Sequence, residues 1–164
     1  MTAQTTSSTR PLLAVRLRSA VVGGIGAVFL LVALLGTGWL FSPANATLHI
    51  PATTLNFADL HHLTSSGMAP TNWIQKNYFS WLGWLIIAAT IVATIAAVLI
   101  RRRFLNILVV VLSVVGLVVG LFAAKGVLTW SQFAHQVPNL RVGTYLLIAG
   151  FVLTLVSALI PERG

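Results

Sequence analysis

Four uncharged apolar runs dominate the sequence: Ser19 to Phe41, Phe79 to Ile100, Phe104 to Ala124, and Val142 to Ile160. At about 1.5 Å per helical residue, each run comes close to the ~30 Å thickness of bilayer hydrocarbon. Inside lipid no water is available to backbone amides and carbonyls, so each run has to satisfy its own polar groups as a helix. No proline interrupts any of them. The expectation is an all-α integral membrane four-helix bundle. Only 7% of the residues are charged, against roughly a quarter in a soluble domain, so the composition agrees.

The basic residues set an orientation. Arg10, Arg16 and Arg18 precede the first run, Arg101 to Arg103 separate the second from the third, and Arg163 follows the fourth. Lys76, Lys125 and Arg141 fall on the opposite side. The positive-inside bias puts both termini and the Arg101 hairpin in the cytoplasm of a bacterial plasma membrane, with a larger extracytoplasmic loop between the first two helices. The five tryptophans, Trp39, Trp73, Trp81, Trp84 and Trp130, with Tyr78 and Tyr145, fall on the other side and read as a one-sided interfacial belt. The net charge of +8 points to anionic lipid rather than nucleic acid, because the cations flank apolar spans and form no separate basic face.

The domain reading is a polar, disordered cytoplasmic tail over 1–18, then one four-helix domain over 19–164 with outer loops at 42–78 and 125–141. An apolar first run after a basic stretch, with Ala44-Asn45-Ala46 beyond it, also resembles a signal peptide. Its length exceeds the usual apolar core of about 7 to 15 residues, which favours an uncleaved anchor. In the first loop, Pro43 and Pro51 bracket Thr47 to Ile50 as a short extended segment. Asn56 is placed to cap a helix from Phe57 to Leu63, with Asp59 at its third position and Gly67 past its end. Thr71 then begins the second long helix ahead of the membrane surface.

Small residues recur at intervals of four: Ala89, Ala93 and Ala97; Gly116, Gly120 and Ala124; Gly150, Thr154 and Ala158; and, in the first run, Gly23 with Ala27 and Ala33 with Thr37. Each set shares a helix face on which backbones can approach closely. The simple reading is packing within the bundle, and the functional one is docking onto a partner's helices. Arg101, Arg102 and Arg103 are candidates for anionic lipid head groups, although setting topology explains them as well. Phe57, Leu60, Trp73, Trp130 and Phe133 are candidates for docking through the outer loops. Asn45-Ala46-Thr47 fits the glycosylation pattern but lies beside the membrane, which argues against its use.

Chemistry is thinly supplied. The chain has no cysteine, and its two acids, Asp59 and Glu162, lie outside the runs, so the ionisable groups of a coupled transporter are missing at membrane depth. The four histidines, His49, His61, His62 and His135, all lie in outer loops, so no histidine is placed to bind haem within a span. Asp59 and His62 share a helix face, and with His49 or His135 they would form a zinc or copper site, but the spacing matches no strong metal pattern. The expectation is no catalytic residue, cofactor, metal or small-molecule substrate.

The short Thr-rich tail, the arginine-only cytoplasmic boundaries, the larger loop after the first span and the final span opening Arg141-Val142-Gly143-Thr144-Tyr145 together resemble small four-helix membrane proteins of actinobacteria. Some of these are accessory subunits of the cytochrome bcc–aa3 respiratory supercomplex. The resemblance covers the whole chain, rests on layout, and implies a cofactor-free subunit at the rim of a larger complex. The functional expectation is a non-catalytic accessory subunit or assembly factor with other integral membrane subunits as partners. The alternatives are a small transporter or lipid-handling protein, and an extracytoplasmic metal-binding or sensing protein.

Overall fold

A computed structural model of the chain describes residues 9–44, 51–67, 70–100 and 102–160, with the backbone alone over 9–16. The first eight residues, the Asn45 acceptor site, the Thr47 to Ile50 segment, His49, Arg101, Glu162 and Arg163 lie outside that part. Among the described residues four helices are long and apolar enough to cross a membrane: Leu17–Leu34, Trp73–Ile100, Arg103–Lys125 and Val142–Leu159.

The first helix, α1 (Thr9–Leu34), is displaced from its expected bounds at both ends. Residues 9–18, assigned from sequence to a disordered tail, are helical. Pro11 falls in the first turn, where its missing amide costs nothing, and the Leu, Ala and Arg residues that follow favour helix. At the other end the apolar run continues to Phe41 but the helix stops at Leu34. Gly36 takes φ +145°, a conformation that favours glycine. The last turn is closed by side chains: Thr37 Oγ1 donates to Val32 O at 3.1 Å, and the Trp39 indole N–H donates to Ala33 O at 2.6 Å. Carbonyls left without an intrahelical amide are thereby bonded.

The chain then extends. Strand β1 (Leu40–Ser42) pairs antiparallel with β2 (Thr53–Leu55), Leu40 opposite Leu55 and Ser42 opposite Thr53. The short helix α2 (Phe57–Ser65) follows, and its capping box has both bonds: Asp59 N–H donates to Asn56 Oδ1 at 2.9 Å, and Asn56 N–H donates to Asp59 Oδ2 at 3.0 Å. Gly67, at φ +73°, ends it. The Asn56 cap, Asp59 and Gly67 thus sit where the sequence reading put them.

The second span begins at α3 (Trp73–Asn77), capped by Asn72, and continues without a break through a π-turn over Tyr78–Leu82 into α4 (Gly83–Ile100). Gly83 N–H reaches back five residues to Tyr78 O. The wider turn brings two successive side chains, Tyr78 and Phe79, into the core. Helix α5 (Arg103–Lys125) follows almost at once and ends at Gly126, φ +55°. In the second loop Thr129 and Gln132 form another capping box that starts α6 (Trp130–Gln136), so the segment expected to be loop contains a helix. A 3-10 turn over Val137–Asn139 leads to the last span, α7 (Val142–Leu159).

The spans form a ring in which α1 packs against α4 and α7, and α5 packs against the same two helices. At the loop-bearing end the exit of α1 is bonded to the start of α7. Arg141 N–H donates to Trp39 O at 3.0 Å and Gly143 N–H to Gly38 O at 2.9 Å. Thr144 Oγ1 adds a bond to Trp39 O at 2.9 Å. Free amides at the N-terminus of α7 are thus taken up by carbonyls of the segment leaving α1.

Candidate functional site

The interior of the bundle is closed by small residues and hydroxyls. A Cβ on Gly116 would overlap the ring of Phe151, and a Cβ on Gly26 would lie 2.9 Å from Gly150 O. These positions allow α5 and α1 respectively to approach α7. Ala93, Ala97, Thr154, Gly116, Gly120 and Gly150 are buried; Ala89, Ala124 and Ala158 are half-buried. The small-residue faces offered for docking are therefore turned mainly toward the chain's own helices. On α1 the face in use is Gly23, Gly26, Leu30 and Ala33. Gly26 was missed because a search at intervals of four passes over a face that alternates three and four.

A seam of buried hydroxyls, also missed, runs along the same surfaces. Thr90 Oγ1 donates to Ile86 O and Thr94 Oγ1 to Thr90 O, both at 2.7 Å. Thr154 Oγ1 donates to Phe151 O at 2.9 Å, so in its 2.9 Å contact with Ser113 it accepts the Ser113 proton. Ser157 Oγ donates to Thr154 O at 2.8 Å, and Ser19 Oγ to Ser157 O at 2.9 Å. The spacing of Thr90, Thr94 and Ala97 on one face was the available signal. Each of these hydroxyls has a partner, and in hydrocarbon that satisfaction is what makes their burial tolerable. The buried Tyr78 hydroxyl differs: it has no hydrogen-bond partner.

Above the bundle, α2 lies over an aromatic cluster. Phe57 stands 5.2 Å from Trp39, 5.3 Å from Phe79 and 5.8 Å from Trp84, ring centre to ring centre, largely edge to face. Phe57 is 2% exposed and Leu60 9%. Both had been offered as docking residues, and that reading is corrected: an amphipathic loop helix turns its apolar residues at i and i+3 into the nearest core. Trp39 and Tyr78 are likewise buried rather than members of an interfacial belt, whereas Trp73, Trp81, Trp84, Trp130 and Tyr145 are exposed. Trp73 is 72% exposed and Trp130 56%; Phe133 is half-buried against Trp130, ring centres 6.3 Å apart.

The charged candidates are placed as follows. Arg102 directly precedes α5 without a side-chain bond to its first amides, and Arg102 and Arg103 are both exposed. The Lys125 ammonium lies 5.2 Å from the centre of the Trp130 ring, and the Arg141 guanidinium 4.5 Å from that of Phe41. His61 and His62 stand side by side with ring centres 5.9 Å apart, and the Asp59 carboxylate is engaged in the α2 cap. Among the described residues no three of His, Cys, Asp and Glu come together. No family model, curated protein or solved structure matches the chain.

Proposed function

We propose that the chain is a non-catalytic accessory subunit, or an assembly or stability factor, of a larger bacterial membrane complex. In this reading both termini and the Arg101 to Arg103 turn face the cytoplasm, and the two loops form a cap on the outer face of the plasma membrane. The observation that carries the proposal is the contrast between the two surfaces of that cap. Its inner face is committed to the Trp39–Phe57–Phe79 cluster, while Trp73 and Trp130 project from capped helices with most of their surface free. Tryptophans on a preordered support lose little conformational freedom on binding, which suits them to anchor an interface. The layout resemblance to accessory subunits of the bcc–aa3 supercomplex makes a respiratory assembly the first complex to examine.

The test is extraction of a tagged chain in mild detergent, followed by pull-down and mass spectrometry. A defined set of membrane subunits should co-purify, and Trp73→Ala combined with Trp130→Ala should weaken the association at least tenfold, as truncation of interface anchors does. A chain recovered alone as a stable monomer would refute the proposal.

A further inference from the structure

The flank of the bundle between α5 and α7, just below the cap, holds an apolar crevice of about 60 Å³. Leu121 and Ala124 form its α5 side, Leu147 and Ile148 its α7 side, and Phe133 and Leu140 descend from the second loop to roof it. Leu121 and Ile148 are themselves exposed, so the crevice opens sideways, toward the hydrocarbon in a membrane-embedded bundle. Its walls are carbon almost throughout, and the residues around it lie in the last turns of α5 and the first turns of α7. That is the depth at which a phospholipid's upper acyl segment runs beside a spanning helix.

A cation stands at the loop end of each of the two helices that wall the crevice. Lys125 directly follows Ala124 at the end of α5, and Arg141 directly follows Leu140 at the start of α7. Each cation rests on an aromatic ring rather than on an acid. Of the chain's two acids, Asp59 is spent on the α2 cap and Glu162 follows α7 at its far end. Two cations with no acidic partner among the described residues, at the ends of the helices that wall a carbon-lined slot, match the two ends of one molecule.

We propose that this crevice binds a single anionic phospholipid, with one acyl chain lying between Leu121 and Ile148 and the phosphate held by Lys125 and Arg141. The site borders the aromatic face assigned above to protein docking, because Lys125 rests on Trp130, but Leu121, Ile148 and Arg141 lie outside that face, and their substitution separates the two proposals.

Native mass spectrometry of the full chain from detergent micelles tests it, with phosphatidylglycerol and phosphatidylcholine of identical chains as probes. One phosphatidylglycerol per chain should persist at collision energies that strip phosphatidylcholine. Lys125→Gln and Arg141→Gln should each weaken its retention about fivefold, the effect of removing one charge at a lipid surface. Ile148→Trp should abolish retention by filling the slot with both cations intact; Leu121→Trp serves if the first variant fails to fold. Equal retention of the two lipids would overturn the proposal. So would a filled slot that still holds phosphatidylglycerol, or full displacement by equimolar glycerol phosphate, which would mean an anion site with no use for a chain.

Discussion

Replacing Gly116 by alanine adds one methyl group where α5 crosses α7, and the structure sets both terms of the outcome. A Cβ there would meet three carbons of the Phe151 ring, and Phe151 is 0% exposed, so the ring has nowhere to turn. Overpacking of this kind costs about 1 to 3 kcal/mol. Against it, exchanging a mid-helix glycine for alanine returns up to ~1 kcal/mol of helix propensity. Because the obstruction is a confined ring rather than a flexible tip, the packing term wins, and Gly116→Ala should lose about 1 to 2 kcal/mol. Gly24 is the internal control: no atom lies within 4 Å of a Cβ built there. Gly24→Ala should therefore be neutral or gain up to ~1 kcal/mol. The assay is reversible unfolding in mixed micelles titrated with SDS, followed by far-UV circular dichroism. A double-mutant cycle with Phe151→Leu sharpens the test, since the new methyl would then occupy space the ring has left. The two substitutions should couple by about 1 kcal/mol or more. Equal stability of Gly116→Ala and Gly24→Ala, or strict additivity in the cycle, would refute the claim that Gly116 exists to admit Phe151.

Asn56→Ala removes one bond of the α2 capping box and should cost about 1 kcal/mol. The loss should appear as faster amide exchange over Phe57 to Ser65, with the four spans little changed. Trp39→Phe keeps an aromatic ring in the cluster but removes the 2.6 Å donor to Ala33 O, leaving that carbonyl only the 3.4 Å bond from Thr37 Oγ1. Unfolding free energy in the same SDS titration should fall by about 1 kcal/mol, the net worth of one intramolecular hydrogen bond, and no fall would mean that Thr37 or water replaces the indole.

The spans were legible because hydrocarbon imposes a length and a composition that a sequence displays directly. The Asn56 cap was legible for a similar reason, since Asn56, Asp59 and Gly67 carry the whole signal within a dozen residues. The same local logic would have found α6, whose Thr129-Trp130-Ser131-Gln132 start has the same grammar. The end of α1 was only partly legible: Gly36 and Gly38 carry a stop signal that the apolar run around them hides, while the hydrogen bond from Trp39 and the ladder to Thr53–Leu55 depend on the folded chain. The interior positions of Phe57, Trp39 and Tyr78 were hidden for another reason. In a membrane protein aromatic residues near the interface suit lipid, partner or core equally well, and only the neighbours decide. The cations Lys125 and Arg141 were visible in the sequence, but the slot between their helices required the packing of α5 against α7.

The bonds from Gly38 and Trp39 to the start of α7 have a consequence for the order of assembly. The α4–α5 pair can close as soon as the turn at Arg102 has been made, since its two helices are neighbours in sequence. The first helix can pack early on α4, but more than a hundred residues must be synthesised before α7, which matches the rest of its glycine face, arrives. Until then Gly26 and the carbonyls of Gly38 and Trp39 are exposed to whatever the insertion machinery provides. Insertion of the final helix is thus the step that locks the circle, and a fault in that last segment should be felt first at the opposite end of the chain.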